Sequence, residues 1–305
     1  MKRKIVKQGA ATLMVSLPSK WARQYGLKKG DEVDIEESGK KLILSASTDK
    51  KERNKVSIDI SGYYPLVNRV LLSLYIKGVD ELEVSFSDHS EIKDFQRRVL
   101  SELLGFEIMK QTQNSILIKD ITEAADQNIV YVIARIFLIL DSMIEELISA
   151  LEKKQKLDPV IEIDTSVNKF VNFCLRVLNK KGYDDISKTP QIYALVNNLE
   201  EIGDILKLIA VKAQEKVKIT ESEIENLKSL RKHLDMFRKL FLNFKKEEAV
   251  AFAKEYEKIK AKIDTKKSFG PYLYELNKAI IRMNNHLMVL ALWLSWVESL
   301  LIRFL

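Results

Sequence analysis

The chain has 305 residues, 46% of them hydrophobic and 30% charged, with only 10 Gly and 5 Pro, which excludes a disordered or collagen-like polymer and suits two or three packed domains. Its net charge of +7 is concentrated: Lys2, Arg3, Lys4, Lys7, Lys20, Arg23, Lys28 and Lys29 all precede the first carboxylate, Asp31, and without these eight the remainder holds 42 basic against 43 acidic residues. A cationic excess confined to the first tenth of a chain points to a polyanionic partner for that segment, double-stranded DNA in the first place. Cys174, the one cysteine, excludes an internal disulfide and fits a reducing, cytoplasmic setting. The basic start runs into Gln8, Gly9 and Thr12 and not into an apolar stretch, so no signal peptide is expected. The longest apolar run, Leu287 to Val297, is about half the roughly 20 residues of a spanning helix, so a buried helix without membrane insertion is expected.

Residues 1 to 47 alternate at Leu13, Val15 and Leu17 up to Pro18, the spacing of a strand that stops at proline. Ser19 is expected to cap a short helix carrying Trp21, Ala22 and Tyr25, with Gly26 just past its end. Lys29, Gly30 and Asp31 predict a turn, Val33 and Ile35 a strand, and Ser38 with Gly39 a reversal into Leu42, Ile43 and Leu44. About 45 residues bury little apolar surface alone, so this β-α-β-β unit is expected to complete its core against a second copy.

The string SLPSKWARQYGLKKGDEVDI resembles the AbrB/MazE/SpoVT superfamily of swapped-hairpin DNA-binding domains. The resemblance implies that two chains interleave hairpins as a homodimer, and that Lys4, Lys7, Gln8, Thr12, Lys20 and Arg23 meet DNA. Many relatives carry Arg directly after the loop glycine, where this chain has Ala10 and Ala11. Lys28 and Lys29 lie in a turn that is polar in any case.

The charged stretch Asp49 to Lys55 reads as a linker. Beyond it, strand patterns at Val56 to Ile60, Leu82 to Phe86, Phe106 to Ile108 and Ile116 to Ile118 alternate with helical spacing at Leu66 to Leu74 and Ile92 to Leu103. A small two-layer α/β domain over residues 55 to 120 is expected, its role dimerisation, spacing or sensing of a small ligand. It contains no phosphate-binding glycine loop, and His89 reads as a loop or helix-start residue.

From Thr122 to Leu305 the pattern is helical throughout, with stripes at Ile129 to Leu151, Ile163 to Val177, Ile192 to Ile209, Ile224 to Phe241 and Ala249 to Ile263. Starts are signalled by Asp158–Pro159, Thr189–Pro190 and the capping box Thr220/Glu223, and a last helix runs from near Pro271. Two three-helix bundles set end to end are expected, so the fold class as a whole is α+β.

The string NLEEIGDILKLIA at 198 to 210 resembles the helix signature of PhoU, a family of two three-helix repeats. That resemblance implies regulation of phosphate uptake through the phosphate transporter or its sensor, and a divalent or iron-type metal ion held by Glu-x-x-x-Asp pairs. Glu200 and Asp204 match the pair, and residues four apart share a helix face. Glu162 and Asp164 are the candidates on the neighbouring helix, where Asn168 stands at a position relatives commonly fill with Asp. In the last helix Ile281 and Asn285 replace the pair. With three His and no nucleophile motif, no enzyme is expected. The expectation is a DNA-binding transcription regulator of phosphate uptake; the alternative is a non-DNA-binding adaptor that docks transporter or sensor through the C-terminal run containing Trp293 and Trp296.

Overall fold

The computed structural model describes residues 2–9, 11–38, 41–46, 53–122, 128–215 and 217–303, the last dozen by backbone alone. They divide into two compact units, Met1–Arg53 and Asn54–Leu305. Ala10, Gly39 and most of the expected linker lie outside the described residues.

The first unit consists of two hairpins and a short helix. Strands β1 (Ile5–Gln8) and β2 (Thr12–Val15) pair antiparallel, α1 (Ser19–Gln24) follows, and β3 (Val33–Ser38) pairs with β4 (Lys41–Ala46). Each pair is its own two-stranded sheet. Pro18 occupies the N-cap position with extended backbone and Ser19 is the first helical residue, so the expected Ser19 cap does not form. Proline needs no N–H partner there, and its fixed φ launches the helix.

The second unit opens with β5 (Lys55–Asp59), α2 (Val67–Lys77), β6 (Glu81–Ser85), α3 (Ser90–Asp94), β7 (Phe106–Gln111) and β8 (Ser115–Asp120). Its four strands lie in the order β5-β6-β8-β7, with β5 and β6 parallel and the other pairs antiparallel. The alternation read from the sequence holds: Leu82, Val84, Ile116 and Ile118 are buried under α2 residues Val67, Leu71 and Tyr75. The second helix differs from a regular one, because after α3 the chain widens into a π turn at Phe95–Val99 and tightens at Leu100–Glu102. This keeps Phe95 and Leu103 in the core and leaves Glu102 beside the helical region.

Six helices complete the unit: α4 (Ile129–Lys153), α5 (Asp158–Lys181), α6 (Thr189–Gln214), α7 (Glu221–Leu242), α8 (Lys246–Lys262) and α9 (Gly270–Arg303). The capping box at the head of α7 forms, Thr220 and Glu223 satisfying each other's backbone N–H. The two three-helix halves lie side by side and share one core, with α4 and α6 packed on α7 and α9, which replaces the expected end-to-end arrangement. The cause is the width of the α4 stripe. Besides facing α5 it presents Phe137 to α7, with ring centroids 5.9 Å from Phe237 and 6.0 Å from Phe241.

The sheet domain and the helices keep separate cores joined at α5. Arg176 of α5 is fully buried. Its Nη1 donates to the carbonyls of Tyr75 (2.8 Å) and Val79 (2.7 Å), and its Nη2 to Asp80 (3.0 Å) and Asp120 (2.8 Å). The guanidinium also sits 4.9 Å from the Tyr75 ring centroid and 5.1 Å from that of Phe106. Lys180, one turn on, adds a second cation to Asp80 and holds that carboxyl below its usual range against the opposing effect of burial.

Candidate nucleic-acid interface

Among the described residues of the first unit none is buried. Ile5 (69% exposed), Val6 (57%), Leu13 (68%), Ile35 (59%) and Leu42 (61%) all face outward, although their strands form as the sequence predicts. Directly paired residues share a face. One face of the first hairpin therefore carries Ile5, Lys7, Leu13 and Val15, and the other Val6, Gln8, Thr12 and Met14. Apolar side chains on both faces of a two-stranded ribbon cannot be covered by one neighbouring layer. The second hairpin is one-sided: Val33, Ile35, Leu42, Leu44 and Ala46 share a face.

The basic and polar candidates sit on this exposed frame. Lys4 precedes β1, Lys7 and Gln8 close it, and Thr12 opens β2 directly opposite Gln8. Gly9 turns the ribbon with φ of 74°, a backbone region that a side chain disfavours. Lys20 and Arg23 are three apart on α1 and share its exposed side, Arg23 Nε donating to the Ser19 carbonyl at 3.3 Å. The ribbon thus brings Gln8 and Thr12 together, the helix brings Lys20 and Arg23 together, and Lys7 lies on the other ribbon face with Ile5, Leu13 and Val15. Lys4, Lys7, Lys20 and Arg23 are all exposed, and among the described residues no carboxylate pairs with them.

The metal candidates converge only in part. Asp164 on α5 is buried, and its Oδ2 accepts from Lys207 Nζ of α6 at 2.7 Å and from Asn168 Nδ2 at 3.4 Å. Its Oδ1 has no hydrogen-bond partner. Gly203 makes this approach of α5 to α6 possible, since a Cβ there would stand 3.2 Å from Val167 and 3.5 Å from Asp164 Oδ1. Burial and the neighbouring charges of Asp204 and Asp164 raise the Glu200 pKa; burial and Asp164 raise that of exposed Asp204. Glu102, from the sheet domain, joins them: burial, then Asp164 and Glu200, push it up to about 7. Glu162 does not join. It is exposed on the far side of α5, because residues two apart in a helix do not face the same way.

The residues present do not fit the metal that the PhoU resemblance implies. Lys207 already supplies a cation to Asp164, and it keeps its proton more tightly there, the carboxylate outweighing burial. Among the described residues no group of three or more His, Cys, Asp or Glu side chains gathers where a metal ion can sit. Sequence reasoning missed Lys207 and Glu102. Lys207 had a local signal, standing three residues after Asp204 on the same helix side, whereas Glu102 had none.

By fold, the first unit is a basic paired-hairpin module with no buried residue among those described. Residues 6–54 match the family model described as antidote-toxin recognition MazE, bacterial antitoxin, so a MazE-type domain stands at the N-terminus. No curated protein and no solved structure matches the chain.

Proposed function

We propose that this chain is a transcription regulator that binds double-stranded DNA as a homodimer through residues 1 to 47. One observation carries the reading: a module with no buried residue among those described and apolar side chains on both faces of its first ribbon carries eight basic and no acidic residues in its first 30 positions. Burial of that apolar surface needs a second copy, and two copies double the cationic surface. A two-stranded ribbon is narrow enough for the major groove, and Lys20 and Arg23 are placed to take flanking phosphates. The six-helix region is the input end, and its NLEEIGDILKLIA string supports phosphate uptake as the regulated process.

The test is binding of the full chain to duplexes from upstream of phosphate-transport genes. The paired substitution Lys7→Ala with Arg23→Ala is expected to weaken binding and leave the thermal melt unchanged. Equal affinity in the pair would sink the site assignment. The match of residues 6–54 to the MazE antitoxin family favours a second reading, an antitoxin; a stoichiometric toxin partner co-purifying with the tagged chain from its native host would establish it.

A further inference from the structure

The four-stranded sheet has two edges of different character. Strand β7 is bulged between Ile108 and Lys110, a device that bends an edge away from further pairing. Strand β5 is regular over Lys55–Asp59 and, among the described residues, pairs on one side only, with β6. Its bonded side fixes its free side. The Asn54 carbonyl accepts from the N–H groups of Asp80 and Glu81, and Ile60 N–H donates to the Ser85 carbonyl at 2.9 Å. Backbone groups of successive residues turn to opposite sides of a strand, so Lys55, Ser57 and Asp59 direct theirs outward. These three residues are exposed, and Val56 and Ile58 between them are only half-buried against the sheet-domain core.

We propose that β5 of one copy pairs antiparallel with β5 of a second copy about a two-fold axis at Ser57, which joins the two sheets into one. The strand is its own complement. KVSID turned about Ser57 sets Lys55 opposite the partner's Asp59, Val56 opposite the partner's Ile58, and Ser57 opposite the partner's Ser57. The two-fold repeats each pair, giving two ion pairs on the open face of the sheet and two apolar pairs on the core face. In this register the outward residues 55, 57 and 59 are also the ones that exchange backbone hydrogen bonds. An axis at Lys55 or at Asp59 would instead set like charges against each other. A strand from a different protein could add to the same edge, but it would owe nothing to this symmetry of charge and apolar positions. The inference rests on the dimer proposed above in one respect: β5 begins eight residues after β4 ends, so first units that hold two copies together keep both β5 strands on short tethers and at high effective concentration.

Disulfide trapping in the full chain tests the register, with oxidised glutathione as oxidant. Cys174 is buried, so the wild type is the blank. Directly opposed residues that exchange hydrogen bonds have Cα atoms about 5.5 Å apart, within the reach of a disulfide. Ser57→Cys is therefore expected to give a covalent dimer. Lys55→Cys alone and Asp59→Cys alone are expected to give at least about tenfold less, because each lies four residues, roughly 13 Å, from its own copy across the axis. The double variant Lys55→Cys/Asp59→Cys is expected to cross-link as Ser57→Cys does. All three positions are exposed, and Glu81, which Lys55 approaches at 3.5 Å, keeps Lys119 at 2.9 Å, so wild-type melts are expected. A dimer that binds DNA but does not cross-link through Ser57→Cys overturns the inference and leaves the DNA reading standing. Equal cross-linking in all the single variants, a monomer at all concentrations, or a Ser57→Cys chain trapped on a different protein in its native host also overturns it. The expected pattern in a dimer without DNA affinity supports the strand pairing and counts against the DNA reading alone.

Discussion

Asp164 shows how one buried carboxylate adds its charge to the effect of burial on its neighbours. Lys207 engages one of its oxygens and the other has no partner, so its charge weighs on Glu102, Glu200 and Asp204. A carboxyl whose folded pKa lies above its ordinary 4.5, as Glu102 does at about 7, binds its proton more tightly when folded. The stability this contributes is complete below pH 4.5 and is lost as pH rises through 7. Burial of His233, brought down to about 4, works the other way, removing stability as pH falls from 6.5. Comparing Glu102→Gln with the wild type cancels the histidine. The variant is expected to melt at nearly the wild-type temperature at pH 4.5 and above it at pH 8, read by circular dichroism; a lower melting temperature at pH 8 would refute the assignment. The Glu200/Asp204 pair was legible in the sequence from four-residue spacing. Its company was not, since Glu102 lies about a hundred residues away and arrives through the fold.

At the scale of elements, α5 is the member that joins sheet and helices, and it does so with a charge. Arg176 replaces water with two carbonyls, two carboxylates and two ring faces, leaving only its Nε without a partner. Removing one side of such a buried pair strands the other. Arg176→Ala is therefore expected to cost about 3–5 kcal/mol, read as a lower urea midpoint. A loss below about 1 kcal/mol would mean that the sheet domain is held by apolar packing alone. Helix starts and stops were legible because their signals are local: Pro159, Pro190, Gly182 and the Thr220/Glu223 box all stand where the helices begin or end. The break after α3 was not, because its apolar spacing also suits a continuous helix. Arg176 carried no signal either, lying within a run of buried residues where an arginine is rare.

For the whole molecule, the charge distribution makes a quantitative prediction. If each copy neutralises about three phosphates, log affinity for DNA falls with log salt at a slope near −5, and the Lys7→Ala/Arg23→Ala pair brings it near −2. Salt-independent binding, or an unchanged slope in the pair, would contradict the interface. The amino-acid sequence by itself determined the alternation of strands, the lengths and caps of the helices and the separation of a basic module from a charge-balanced remainder. These depend on side-chain period and local backbone preference, which neighbours along the chain express. Tertiary structure alone decided that the two helical halves lie side by side, that Lys207 and Glu102 meet Asp164 while Glu162 turns away, and that Arg176 is buried between layers. Those outcomes depend on which faces meet across distant segments, and burial and charge pairing at such meetings arise only once the chain has closed on itself.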